Sequence, residues 1–272
     1  MNREKMLNRS FSVFFTRIPV FSAYAKTRGW PYVIAWCHRG AGLFLVAFVW
    51  FHIYTLLSLS SPSLYDARMI IYGFFPLTIL EWALGIPVIF HALNGGRLIL
   101  YESLEIRNDE SMIRWLLGLS ILYIGLLGII MLLGTQSVSP VFFWLLALAA
   151  SVTLAYGAIS KIWAVRHSLS WRLQRVTGAF LLVMVPAHFL FMHLNPTIAK
   201  EASVVITRMQ HPFIKAVDLA LLVGILYHSG HGLVSVVRDY FSSRVLHVGL
   251  VALVSLVMLV FAWIGMSLIL SI

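Results

Sequence analysis

Four histidines lie inside apolar segments, and they come in two copies of one unit. Arg39-Gly-Ala-Gly42 leads by thirteen residues to His52, and Arg175-Val-Thr-Gly178 leads by thirteen residues to His188. His91 follows His52 by 39 residues and His228 follows His188 by 40, each with a glycine four residues later, Gly95 and Gly232. Neutral imidazole is a common ligand for redox metals. The single cysteine, Cys37, excludes an intrachain disulfide and cannot supply the thiolates of an iron–sulfur cluster. Any redox metal held by this chain must therefore rest mainly on histidine, and the duplication suggests two bis-imidazole sites.

The elements that must position these residues are membrane helices. Of the 272 residues, 60% are apolar and 11% charged, too few polar side chains to cover a water-soluble globule. Apolar runs near 33–58, 70–93, 114–134, 140–162, 176–194, 212–236 and 247–271 each have the roughly 20 residues that cross a hydrocarbon core as helix. Seven spans are expected.

The formal net charge of +10 is distributed by loop parity. Of the 20 Lys and Arg, sixteen fall on one side of seven alternating crossings: seven from Arg3 to Arg39, then Arg97, Arg107, Arg114, Lys161, Arg166, Arg172, Arg175, Arg238 and Arg244. Four fall on the other: Arg68, Lys200, Arg208 and Lys215. The positive-inside rule then puts the N-terminus in the cytoplasm and the C-terminus outside. This pattern argues against a nucleic-acid binder. Residues 1–30 lack the apolar stretch and cleavage site of a signal peptide and read as a cytoplasmic arm.

The repeat sets residues 31–134 (helices one to three) against 172–272 (helices five to seven) in the same orientation, an all-α parallel repeat. A unit that starts inside and ends outside needs one more crossing before its copy begins, so 135–171 reads as a connector helix and inner loop. Counting about 1.5 Å per residue, His91 and His228 share the inner half of the membrane and His52 and His188 the outer half. Two levels with one histidine per repeat suit two b-type hemes in a four-helix core, His91 and His228 at the inner iron, His52 and His188 at the outer. Gly95 and Gly232, on the same helix face as the inner histidines, would clear space for the porphyrin; helix packing of the small-xxx-small type is the alternative. Arg97, Arg39, Arg175 and His231 are placed to meet heme propionates. Each histidine also has a plainer reading, a hydrogen-bonded packing residue, which His193, His211 and His247 near span ends take. Each copy carries an acid ten residues before its second histidine, Glu81 and Asp218, either functional or interfacial.

At this point the residues resemble a family, the membrane anchors of succinate:quinone oxidoreductases and fumarate reductases. Ala35-Trp-Cys-His38-Arg39-Gly-Ala-Gly42 is similar to the anchor's Ser-x-x-His-Arg-x-Ser/Thr-Gly entry to its first helix, with alanine at 35 and 41 in place of the hydroxyl residues. His91-Ala-Leu-Asn-Gly95-Gly-Arg97 resembles the His-x-x-x-Gly-x-Arg heme motif of the larger anchor subunit. His228-Ser-Gly-His-Gly232, followed by Asp239-Tyr240, resembles the smaller subunit's heme histidine and its Asp-Tyr pair. The likeness covers about residues 30–240, so the chain looks like the two anchor subunits fused through helix four.

The resemblance implies that His91 and His228 ligate the inner heme, and that His38, Arg39, Asp239 and Tyr240 belong to a quinone site near the cytoplasmic face. It implies two heme b groups and quinone as substrate, with FAD and iron–sulfur clusters held only by a flavoprotein and an iron–sulfur subunit docked on that face. The chain would then be the anchor of a succinate dehydrogenase or fumarate reductase in the cytoplasmic (inner) membrane of a prokaryote. It would be the part of that enzyme complex that moves electrons and leaves dicarboxylate chemistry to its partners. Two other readings remain open: a diheme cytochrome b serving another dehydrogenase, for formate or hydrogen, and a heme-free repeat carrier.

Overall fold

Hydrocarbon offers no partner to backbone N–H and C=O groups, so apolar runs of this length satisfy their own hydrogen bonds as helices. The computed structural model describes residues 28–104, 108–163 and 167–272, with the side chains of 103, 104, 109 and 196 excepted. Most of the N-terminal arm therefore lies outside the described residues, as do Arg107 and Arg166. Among the described residues are ten α-helices: α1 Trp30–Leu56, α2 Pro62–Tyr72, α3 Phe75–Leu104, α4 Asp109–Leu133, α5 Pro140–Ile162, α6 Leu169–Met192, α7 Pro196–Lys200, α8 Ala202–Gln210, α9 Pro212–Tyr240 and α10 Arg244–Ser271. Seven of them, α1, α3, α4, α5, α6, α9 and α10, are long and apolar enough to cross a membrane, matching the expected number of spans. By contacts the chain divides into Met1–Ala41 and Gly42–Ile272.

Local chemistry sets the helix ends. Asn108, Ser139 and Ser168 accept hydrogen bonds from the backbone N–H groups of Ser111, Phe142 and Trp171, capping α4, α5 and α6. Proline opens α2, α5, α7 and α9, where its missing N–H has no helical partner to lose. Gly134 ends α4 in the left-handed conformation (φ 57°), and its N–H bonds to the Ile130 carbonyl.

Short connections make α3/α4, α5/α6 and α9/α10 into antiparallel neighbours, while α6 packs against both α3 and α9. One end of Gly42–Ile272 carries Lys161, Arg172, Arg175 and Arg238 and is called here the basic end. The opposite, capped end carries α2, α7 and α8, short helices within segments that hydropathy marks only as connections. They sit at corresponding places, each between the helix bearing the first histidine of a repeat and the helix bearing the second. They are pinned to each other by Tyr65 Oη donating to the Ala199 carbonyl (2.6 Å) and Asp66 Oδ1 accepting from the Ala202 N–H (2.8 Å). A cluster of Ile53, Leu59, Tyr65, Val205, Met209 and Leu222 fills the space beneath them. A second cluster, around Trp144, Met184 and Phe191, joins α5, α6 and α9. The outward faces of α4 and α10 stay apolar and exposed, with Leu132, Leu259 and Trp263 at 89, 68 and 76% exposure, as a lipid-facing surface requires.

Candidate functional site

Four helices bring one histidine each. His91 on α3 and His228 on α9 meet with ring centroids 6.2 Å apart and planes at 90°. His52 on α1 and His188 on α6 meet at 6.1 Å and 84°. Those are the two pairs that the repeat pattern calls for. A bond of about 2.0–2.1 Å from a first-row metal to an imidazole nitrogen, with the ring centre roughly 1.1 Å behind that nitrogen, gives trans imidazoles a centroid separation of about 6.3 Å. Both pairs match that spacing. Among the described residues no three His, Cys, Asp or Glu converge on one point, so at each level the histidine pair is the donor set that His, Cys, Asp and Glu supply there.

The pairs are held apart along the bundle by helix rise. Gly42 lies against His91, and His52 is ten residues further along α1; Gly178 lies against His228, and His188 is ten residues further along α6. Ten residues is about 15 Å in each repeat. The glycines are specific to the contact. A Cβ at Gly42 would stand 3.0 Å from His91 Cε1, and one at Gly178 would stand 3.3 Å from His228 Cε1. Each basic-end imidazole therefore rests on the backbone of the neighbouring repeat helix, which leaves its ring little freedom. The Arg-x-x-Gly repeat in the sequence marks these positions, but its spacing alone does not reveal what the glycines touch. Gly232 faces open space in which only Gln174 Nε2 would come within 4.0 Å of a Cβ, room that a bulky group can use.

Nδ1 of His188 is buried with no hydrogen-bond partner among the described residues, while the His228 ring interacts with the Gln174 backbone. A buried ring nitrogen left without a partner, as in His188, is costly. Around the capped-end pair, Phe48 stacks beside His52 (5.9 Å, 18°) and the buried Trp144 flanks His188 (5.9 Å), giving apolar walls.

At the basic end Arg97 is 9% exposed, and its Nε donates to Asn94 Oδ1 at 2.9 Å. Arg175 forms a bidentate pair with Glu102, Nε to Oε2 at 2.6 Å and Nη2 to Oε1 at 2.8 Å, while its guanidinium lies over Trp171. That carboxylate occupies half of the fork which the sequence assigned to propionates. His231 stacks near Tyr227 (6.2 Å, 22°) with its Nδ1 buried and unpartnered. Asp239 and the exposed Tyr240 close α9. His38 and Arg39 belong to the other contact unit, on the opening turns of α1.

The matched acids have partners. Glu81 Oε1 lies 3.2 Å from His193 Nε2, while His193 Nδ1 bonds the Phe189 carbonyl at 2.6 Å, so His193 is a bridging group rather than a bystander. Asp218 interacts electrostatically with Arg208, whose Nη1 donates to the Ile198 carbonyl at 2.8 Å. Burial holds the Arg208 guanidinium below its ordinary value, with Asp218 opposing that shift.

The fold and the site define a polytopic helical membrane protein with two histidine pairs stacked across the membrane. A model of the succinate dehydrogenase/fumarate reductase transmembrane subunit family matches residues 157–266. The chain is 33% identical over 94 residues to succinate dehydrogenase 2 membrane subunit SdhC of Mycobacterium tuberculosis, covering 34% of this chain and 69% of the relative. It is 30% identical over 76 residues to the succinate dehydrogenase hydrophobic membrane anchor subunit of Archaeoglobus fulgidus, covering 28% of this chain and 65% of the relative, just under two thirds of its length. No solved structure matches. The chain belongs to the succinate dehydrogenase/fumarate reductase membrane anchor family.

Proposed function

We propose that this chain is a diheme cytochrome b anchor that carries electrons between an iron–sulfur subunit docked at its basic end and quinone in the membrane, within a succinate dehydrogenase or fumarate reductase. The observation that carries the reading is the pair of imidazole separations, 6.2 and 6.1 Å, each close to the spacing of two imidazoles that would share one iron. The relatives are about half as long as this chain or shorter, which supports reading it as two anchor units fused through α5.

A bound heme supplies an iron that accepts and returns one electron at a time. The protein's part is placement. His91 and His228 would hold one heme and His52 and His188 the other, each pair offering two imidazole nitrogens to an iron. Gly42 and Gly178 fix the rings at the basic-end level, Gly232 leaves room on the helix face beside His228, and Gly95 takes the equivalent place in the first repeat. Arg97, His231 and the part of Arg175 not committed to Glu102 are cationic or donor groups for propionates. For quinone, the resemblance puts forward His38, Arg39, Asp239 and Tyr240; an arginine and a phenol are donors suited to the charge that develops on a reduced quinone's oxygens. The basic end is the cytoplasmic face in this reading, and the flavoprotein and iron–sulfur partners bind there.

A pyridine hemochrome assay on the purified complex tests the reading: two b hemes per chain are expected. A chain without visible absorption bands overturns it in favour of a heme-free carrier. Reduction of the hemes by succinate, and not by formate or hydrogen, identifies the partner enzyme.

A further inference from the structure

Asn94 has no role in the site so far, yet it is among the most deeply buried polar residues in the chain. It is 1% exposed, inside a membrane span, three residues after His91 on α3. Its Oδ1 accepts from Arg97 Nε at 2.9 Å, which fixes the orientation of the amide because the nitrogen end has no lone pair to offer that N–H. Nδ2 therefore points elsewhere, and it is buried with no hydrogen-bond partner among the described residues. A satisfied acceptor and an orphaned donor on one rigid amide mark a group that finds no acceptor among the described residues.

The repeat supplies a second such group. The interval of 137 residues that carries His91 onto His228 and Gly95 onto Gly232 carries Asn94 onto His231. Nδ1 of His231 is likewise buried without a partner. On a helix, three residues after an iron-facing histidine is one turn further toward the basic end on nearly the same face. Each repeat thus presents one unsatisfied nitrogen, at equivalent places, one turn beyond its basic-end histidine. Parallel repeats in membranes are related by an axis along the bilayer normal. A ligand that meets both nitrogens in the same way carries two like acceptors on one edge.

We propose that Asn94 Nδ2 and His231 Nδ1 are a matched pair of donors for the two carboxylates on the basic-end edge of a porphyrin held between His91 and His228, with Asn94 also positioning Arg97 toward them. This inference rests on the heme reading above and adds to it the residue that seats the ligand and sets its orientation. Without these donors the preference for a porphyrin that keeps its acidic edge falls to what Arg97 and Arg175 supply.

The test uses the full chain carrying His52→Ala, made in heme-starved cells so that only the basic-end pair is read. Binding of protoheme is compared with binding of its dimethyl ester, in which both carboxylates are blocked. Protoheme binds more tightly than the ester, by at least about tenfold, the size of one charge-assisted hydrogen bond. Asn94→Leu lowers protoheme affinity about tenfold and leaves the ester's affinity unchanged. The same comparison with His231→Phe gives the matching result from the second repeat, and it stands alone if the Asn94 variant does not fold. Equal loss with both porphyrins makes Asn94 a packing residue and overturns the proposal, as does no preference for protoheme in the chain carrying His52→Ala alone. If neither porphyrin binds that chain, the heme reading itself has failed, which is a different result from equal binding of both.

Discussion

At the scale of single residues, the histidines and their pairing were legible because offsets and depths repeat, whereas the other side chains and backbone they touch were not. His52→Ala is expected to remove one heme per chain and leave the other, read as a halved hemochrome yield. His91→Ala is expected to remove the basic-end heme and also lower the amount of assembled complex, since it empties a packed site and leaves buried donors unpaired. Gly42 and Gly178 make a sharper case, because their importance lies in what a side chain would strike. Gly42→Val puts branched carbons where a single Cβ already stands 3.0 Å from His91 Cε1, an overpacking cost of about 1–3 kcal/mol. Heme loss confined to the basic-end site, with the capped-end spectrum intact, is the expected result. Gly118 has open space around its Cβ position, and Gly118→Ala should leave both spectra unchanged. Arg175 illustrates the opposite case: a basic residue at the right depth reads as a propionate partner in sequence, and Glu102, 73 residues away, claims much of it in the fold.

At the scale of elements, the seven spans follow from hydropathy, since about 20 apolar residues have no other stable form in hydrocarbon. The helices α2, α7 and α8 were missed for a physical reason. They are short and mixed in polarity, and their stability comes from packing on one another and on the bundle rather than from a span-length apolar run. The Asp66 carboxylate that caps Ala202 lies 136 residues away, so no local pattern signals it. Asp66→Ala is expected to cost about 1 kcal/mol and to show as faster amide exchange across α8 with the spans still protected. Tyr65 provides a pH test. Burial raises its hydroxyl from an ordinary value of 10.0 to about 12, so the folded state keeps a proton that the unfolded chain gives up. Stability of the capped end is therefore level below pH 10 and falls between about pH 10 and 12. Tyr65→Phe removes that dependence along with the bond to Ala199, and amide exchange of α7 and α8 against pH measures both.

At the scale of the whole molecule, sixteen cations at one face against four at the other set the expected orientation. Reporter fusions at residues 1 and 272 are expected to place the N-terminus inside and the C-terminus outside; the reverse result would move the partner-binding face to the other side of the membrane. Arg39→Leu and Tyr240→Phe, examined one at a time, are expected to lower succinate-driven quinone reduction while leaving reduction of a soluble artificial acceptor intact. Loss of both activities would indicate failed assembly instead of a lost quinone contact.

What the linear chain determined by itself was the solvent of the protein, the number of crossings, the duplication, and the four residues able to hold iron. Hydropathy, charge parity and residue spacing are local or periodic properties, and they survive without knowledge of any long-range contact. Only the tertiary structure decided that two glycines carry the basic-end rings, and that Glu81 meets His193 and Arg175 meets Glu102. It also decided that Asn94 is left with an unanswered donor. Pairing and satisfaction are relations between segments 50 to 140 residues apart, set by how the helices close on one another. In a membrane interior that offers no water to complete an unmade hydrogen bond, those relations separate a packing residue from a functional one.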